Sequence, residues 1–378
     1  MQIEEQIWNK NNWTVKNGSQ LDPSKVQLIF LFGDIDEIAN VFHIEHFQLR
    51  YPNAKIVGSS TAGTIESGFL SEHSLVATII AFDHAWVEIA CIDDLDNATL
   101  EDRSKELFDQ LSKDHLKHVF ILMEGLALNG SLLVKGINDL AMKIPMTGAL
   151  AGDGYIFNHT LVIANGTAKQ NRAVAIGFYG DSLSIKVGCG VGWQEFGAQR
   201  VVTRSDGNVI YEIDHKPALK FYEDYLGEHI KDLPSSALPF PLNIHAYDGD
   251  KEVVRVMMGI NEDQSIYFAG DIPQGSTVRL MKTSVLDLIE GAEVVGKNIS
   301  LHSDKPSLAI AVSCGGRRNV LKEFVSEEIQ AMQEQLGGNT HVFGLYSYGE
   351  LAPFSDNLFD CKLHNQTMTV TAIYEDVF

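Results

Sequence analysis

The chain reads as an α+β, or mixed α/β, protein: layered mixed β-sheets covered by helices and arranged as two closely packed subdomains. Three observations lead there. Short apolar runs at 26–32, 118–123 and 308–312 have the character of strands buried on both faces, and helical periodicity follows each of them. Between about 155 and 211 the pattern changes to successive strands, separated by the turn sequences Asn165-Gly166, Gly180-Asp181 and Asp206-Gly207-Asn208. At 378 residues the chain also exceeds the usual size of one core.

Composition narrows the partners. With 45% hydrophobic and 21% charged residues, the chain is of ordinary globular type. Its formal net charge of -21 repels phosphate backbones and anionic headgroups, which argues against nucleic acid and membrane surfaces as partners. The first residues lack the basic and apolar regions of a secretion signal, and no apolar run approaches the ~20 residues that span a bilayer, so a cytoplasmic location is expected. Cys91, Cys189, Cys314 and Cys361 lie far apart with no CxxC pair, and are expected to be reduced thiols.

In order, residues 1–25 are polar and read as an arm. A buried strand at 26–32 stops at Gly33-Asp34, and a helix over 38–49 ends before Pro52. The strand from Ala54 runs into Gly58-Ser59-Ser60-Thr61-Ala62-Gly63, whose small hydroxylated residues let a ligand approach the backbone and offer hydrogen bonds. It is neither a Walker loop nor a dinucleotide fingerprint. A hairpin at 74–82 and 86–92, a helix at 100–111, a strand at 118–123 and a helix to about 142 come next. They lead to Gly148-Ala149-Leu150-Ala151-Gly152-Asp153, a loop built like the first. A unit of strand, helix, strand and small-residue loop is therefore expected twice, with its loops meeting.

Strands follow at 155–163, 173–179, 183–191, 199–204 and 209–213. A helix over 216–227 then carries proline at its start and glycine at its end. The division between halves falls near His215, giving an arm over 1–25, one domain over 26–215 and another over 216–378. The second half continues with strands at 243–246, 252–260, 265–269 and 276–282 and a helix from Thr283. The strand at 308–312 opens onto Ser313-Cys314-Gly315-Gly316-Arg317-Arg318, read as a loop, followed by a helix over 320–336, a strand at 341–346 and the loop 347–353. A last strand lies at 367–374.

Both final loops follow strands, so Arg317 and Glu350 are placed to grip a small polar molecule, or else to pair with each other. Cys314 in the same loop is either a reactive thiol or a small apolar filler. Together with Ser59, Ser60, Thr61, Gly63, Gly148, Gly152, Asp153 and Tyr348, these residues form the expected ligand site. No serine elbow, HExxH helix, kinase set or diagnostic carboxylate pair is present, and no enzyme activity is expected.

Ser313-Cys314-Gly315-Gly316-Arg317, followed by a helix and by Gly344-Leu345-Tyr346-Ser347-Tyr348-Gly349-Glu350-Leu351, resembles the C-terminal signature of the FIST family of bacterial sensory proteins. The Gly58–Gly63 turn, the Gly148–Asp153 segment and the helix beginning Pro217-Ala218-Leu219 resemble the same family, so the likeness covers about 26–355. The resemblance implies a FIST N-type domain over 26–215, a FIST C-type domain over 216–378 and sensing of a small ligand. Signalling would pass through a partner histidine kinase, diguanylate cyclase or phosphodiesterase. Stand-alone members include haem-binding nitric oxide sensors, which implies haem b; with no CxxCH such haem would be non-covalent. His245, on a short strand facing away from the apolar side, and His215, in a turn, are the candidate axial ligands. The alternative ligand is a small metabolite such as an amino acid.

Overall fold

Three parallel strand pairs form the frame: Leu28–Gly33 beside Lys55–Ser60, Leu116–Met123 beside Met146–Leu150, and Ser307–Cys314 beside Thr340–Ser347. The computed structural model describes residues 1–18, 20–71, 73–140, 143–245, 252–299, 307–354 and 357–376. Parallel neighbours require a crossover, and the helices Val41–Arg50, Gly130–Asn138 and Val325–Leu336 supply it. In each unit a strand antiparallel to the first of the pair follows: Leu75–Ala81, Ala173–Tyr179 and Met368–Glu375. Outside these lie Gln2–Trp8, Trp86–Ile92 and Leu183–Gly190. The unit that the sequence suggested twice is thus used three times.

Side-chain alternation explains why the three sheets pack as they do. In Leu28–Gly33, Leu28, Phe30 and Phe32 enter a core shared by all three units, while Ile29 and Leu31 pack on Ile44 and Phe47 of the covering helix. Phe120 and Leu122, and likewise Leu308, Ile310 and Val312, reach the same shared core. Their alternating neighbours Val119 and Ile121, and Ala309 and Ala311, face helices instead. Phe30 meets Phe120 edge-on at 6.0 Å and Phe343 at 5.3 Å, so the centre of the molecule is an aromatic contact between units.

The third unit is interrupted. Between Leu183–Gly190 and the helix Val285–Asn298 lies a separate sheet, eight-stranded among the described residues, running from Gln194–Asp206 to Thr277–Lys282. It has its own core, with Val202, Ile210, Tyr222, Ile244, Phe268 and Leu280 all buried. The sequence division near His215 lies inside this sheet, where Val209–Ile213 pairs with Lys216–Pro217. Among the described residues no helix is long and apolar enough to cross a membrane.

Several local expectations change. The polar first 25 residues are no arm: Gln2–Trp8 and Trp13–Asn17 form a hairpin on the edge of the first sheet. A strand reading Gln-Ile-Glu-Glu-Gln has no apolar alternation, and it is buried through hydrogen bonds such as Leu21 N to Glu4 Oε2 at 2.7 Å. Only Val162–Ala164 of the expected strand at 155–163 forms, because Tyr155 and Phe157 adopt φ of 70° and 54°. The supposed loop at 313–318 is the end of a strand followed directly by the helix Gly315–Leu321, and Lys322 at φ 52° breaks the expected helix before Val325. The supposed loop at 347–353 contains the strand Gly349–Phe354, paired with Met146–Leu150 and with the unforeseen Asn357–His364. The predicted helix end at 141–142 and the strand end at 246 lie outside the described residues.

Candidate functional site

The second strands of the three parallel pairs all end at the same place. There Ala62 N donates to Tyr346 O at 2.8 Å, Tyr348 N to Leu150 O at 3.1 Å and Gly152 N to Ser60 O at 3.1 Å. Each unit donates to another and accepts from the remaining one, which closes a three-way circuit. Beyond it each chain crosses to a neighbouring sheet: Thr64–Glu66 pairs with Thr340–Ser347, Val162–Ala164 with Lys55–Ser60, and Gly349–Phe354 with Met146–Leu150. Small residues are needed because the backbones nearly touch. A Cβ on Gly152 would lie 2.7 Å from Ala62 N.

The sequence-selected loops therefore converge, although most of their polar groups are used within the protein. Ser60 Oγ accepts from Leu161 N at 3.0 Å and Thr61 Oγ1 from Gly63 N at 3.2 Å, while Ser59 Oγ is buried without a partner among the described residues. Gly63 lies against the Arg318 side chain, and Gly148 sits in its strand against the Ile121 backbone. The Asp153 carboxylate accepts from Phe157 N at 3.0 Å, Asn158 N at 2.7 Å and the Tyr348 hydroxyl at 2.6 Å. It pins the 153–159 loop over the circuit, with Tyr155 Oη donating to Gly315 O at 2.7 Å.

Arg317 and Glu350 do not pair as the sequence suggested. Arg317 is fully buried, its Nε 2.6 Å from Glu328 Oε1 and its Nη2 2.9 Å from Leu288 O. The guanidinium fork is taken by a carboxylate on the covering helix Val325–Leu336, and it joins that helix to the short helix Gly315–Leu321 that leaves the strand. Glu350 accepts from Ser347 Oγ at 2.6 Å and Thr367 Oγ1 at 3.0 Å, and burial raises its pKa to about 7. Burial also pushes the Cys314 thiol up, which favours its inert form.

Open space lies beside the circuit, between it and the inserted sheet. A cleft of ≈ 530 Å³ runs along the 125–130 segment, the 206–208 turn and the 267–271 segment, with Phe157 and Tyr348 in its wall. It adjoins a slot of ≈ 30 Å³ bounded by Tyr155, Cys314, Gly315, Ser347 and Asn365, and the two share Phe157, Met258, Ala269 and Tyr348. The Phe157 and Tyr348 rings are stacked at 5.1 Å. Of the expected site residues, Cys314 and Tyr348 border this space. Sequence reasoning missed Tyr155, Phe157 and Asn365, whose only hint was the small-residue loop before the first two.

The histidines proposed for haem do not suit it. His215 is exposed in a turn at φ 61°, and it lines neither cleft nor slot. His245 Nε2 is 2.8 Å from Glu195 Oε1 and its Nδ1 2.9 Å from Glu252 Oε1, so neither ring nitrogen is bare for iron. The same three residues place potential metal-ligand atoms within 4.8 Å of one another, but Arg279 and Asn243 also bind the Glu195 carboxylate. An acidic pair around the imidazole is also poor company for haem propionates.

Comparison with known proteins adds the following. A family model described as the FIST N domain matches residues 27–216, and one described as the FIST C domain matches 218–353. An uncharacterized protein of Methanocaldococcus jannaschii is 23% identical over 321 residues, which cover 78% of this chain and 60% of that protein. The chain thus spans about 60% of the length of that relative. Among solved structures, a cyanuric acid hydrolase from A. caulinodans aligns over 94% of this chain and 92% of its own, with TM-score 0.38 and 8% identity. PurLQS from Thermotoga maritima aligns over 94% and 67%, with TM-score 0.18 and 9% identity.

Proposed function

We propose, from the premise that this chain belongs to the FIST family through both its N and C domains, that it receives a small metabolite in the cleft between its three-unit core and its inserted sheet. FIST domains are associated with sensory signal transduction and with small-molecule ligands. The observation that carries the reading is the 153–159 loop. Tyr155 and Phe157 hold left-handed backbone conformations that bulky residues rarely adopt, and such strain is concentrated where binding uses it. Asp153 and Tyr348 hold the loop in that state over the cleft.

Binding fits this space better than catalysis does. The nearby Glu350 and Asp153 carboxylates have their oxygens engaged by protein donors, and burial favours the protonated, unreactive Cys314. Among the described residues the cleft is lined by Asp206 and Asp271 and by no lysine or arginine, which favours an uncharged or cationic metabolite over an anionic one. A ligand held between the core and the inserted sheet would bias their relative position, a two-state element of the kind that transmits a signal. The recipient on this reading is a separate cytoplasmic histidine kinase or cyclic-di-GMP enzyme.

The test is hydrogen exchange of the whole chain in the presence of pooled amino acids, nucleobases and small heterocycles. A bound ligand should slow exchange at 153–159 and 206–208 together. Binding that protects other segments and leaves these unchanged would reject the cleft as the site, and no protection by any pool would reject the sensor reading for these ligand classes.

A further inference from the structure

One side chain beside the slot is left with an unused group. Asn365 is 1% exposed, and its Nδ2 donates to His364 O at 3.0 Å. A carbonyl oxygen accepts only from the NH2 end of an amide, so this bond fixes the orientation of the side chain. Asn365 Oδ1 is then buried with no partner among the described residues. Buried acceptors in proteins are nearly always satisfied, and one left open beside a cavity marks where a donor belongs.

The surroundings define what kind of donor. Asn365 lines the slot with Leu238, Val256, Met258 and Ala269, apolar walls that penalise a charged group. At ≈ 30 Å³ the slot takes the edge of a ring but not a whole ring, which must lie in the adjoining cleft of ≈ 530 Å³. Phe157 and Tyr348 border both spaces and are already stacked at an interplanar angle of 11°, so a flat ligand extends an existing stack. Among the described residues the larger cleft offers no lysine or arginine to a ligand anion.

Resting on the cleft reading above, we propose that the ligand is a planar, uncharged nitrogen heterocycle that stacks on Phe157 and Tyr348 and donates a ring N–H to Asn365 Oδ1. Asn365 is then the residue that discriminates among flat molecules of similar size. A site built to hydrogen-bond a ligand group rejects an analogue lacking that group, because its own polar atom stays unpaired. Leu238 and Met258 set the depth to which the edge can enter.

The experiment titrates the full chain with two probe pairs: indole against indene, which has the same shape and no N–H, and uracil against 1,3-dimethyluracil. The expected result is that at least one N–H member binds and its counterpart binds ten-fold or more weakly, with the difference abolished in Asn365→Ala. If Asn365→Ala does not fold, the wild-type comparison decides, since indole and indene differ in the donor and hardly in bulk. Equal affinity within both pairs, a preference that survives in Asn365→Ala, or no binding by any of the four probes overturns the proposal. Protection of 153–159 by a ligand of another class would leave the cleft as the binding site while removing this assignment, so the two failures are distinguishable.

Discussion

Tyr348 Oη donates to the Asp153 carboxylate at 2.6 Å and accepts the Tyr155 amide at 2.9 Å, so one phenol ties the strand end of the third unit to the loop of the second. Tyr348→Phe removes both bonds and leaves Asp153 and the Tyr155 amide short of a partner. The expected cost is about 1–3 kcal/mol, with faster amide exchange across 155–159. Wild-type exchange in that segment would mean that the loop is held by other contacts.

The buried Arg317–Glu328 pair sets a second expectation. Removing either partner alone leaves an uncompensated charge in the interior, and Glu328→Gln or Arg317→Met should destabilise by roughly 3–5 kcal/mol. Replacing both with apolar residues should recover much of that loss. Denaturant unfolding of the single and double variants measures this, and additive losses in the double variant would contradict direct pairing.

Glu350 makes stability depend on pH in a stated direction. Its pKa is raised by burial from 4.5 to about 7, so its contribution is fully present below 4.5 and is lost as pH rises through 7. Glu350→Gln lacks this titration. The melting temperature of the variant minus that of wild type should therefore increase between pH 5 and pH 8, and a flat or falling difference would show that Glu350 is not buried in the neutral form.

The backbone circuit predicts a contrast between two glycines. At Gly152 a Cβ meets the Ala62 backbone at 2.7 Å, and Gly152→Ala should cost about 1–3 kcal/mol through overpacking. At Gly154 a Cβ meets nothing within 4 Å, and only the φ of 71° opposes alanine, at about 1–2 kcal/mol. Thermal unfolding should rank Gly152→Ala as the less stable, with loss of the circuit also exposing the amides of 60–62 to exchange.

Haem offers a further check. With both ring nitrogens of His245 engaged by carboxylates, wild type and His245→Ala should give superimposable absorption spectra after incubation with haem. A Soret band present in wild type and lost in His245→Ala would restore that residue as an axial ligand.

Local pattern was enough for much of this molecule. Strands such as 28–33 and 307–314 announce themselves because burial on both faces demands an unbroken apolar run, and the small-residue loops because close backbone approach demands glycine and alanine. The family signature depends on the same local features. Tertiary structure decided what no local window contains. The third copy of the repeating unit is divided by the inserted 194–282 sheet, so its two parts are neighbours only in space. The polar strand Gln2–Trp8 is buried by distant hydrogen-bond partners. Arg317 had several carboxylates within reach along the chain, and the packing of Val325–Leu336 on the sheet chose Glu328 over Glu350. Asn365 Oδ1 is buried without a partner among the described residues, a property of the assembled surroundings and not of an asparagine in a turn.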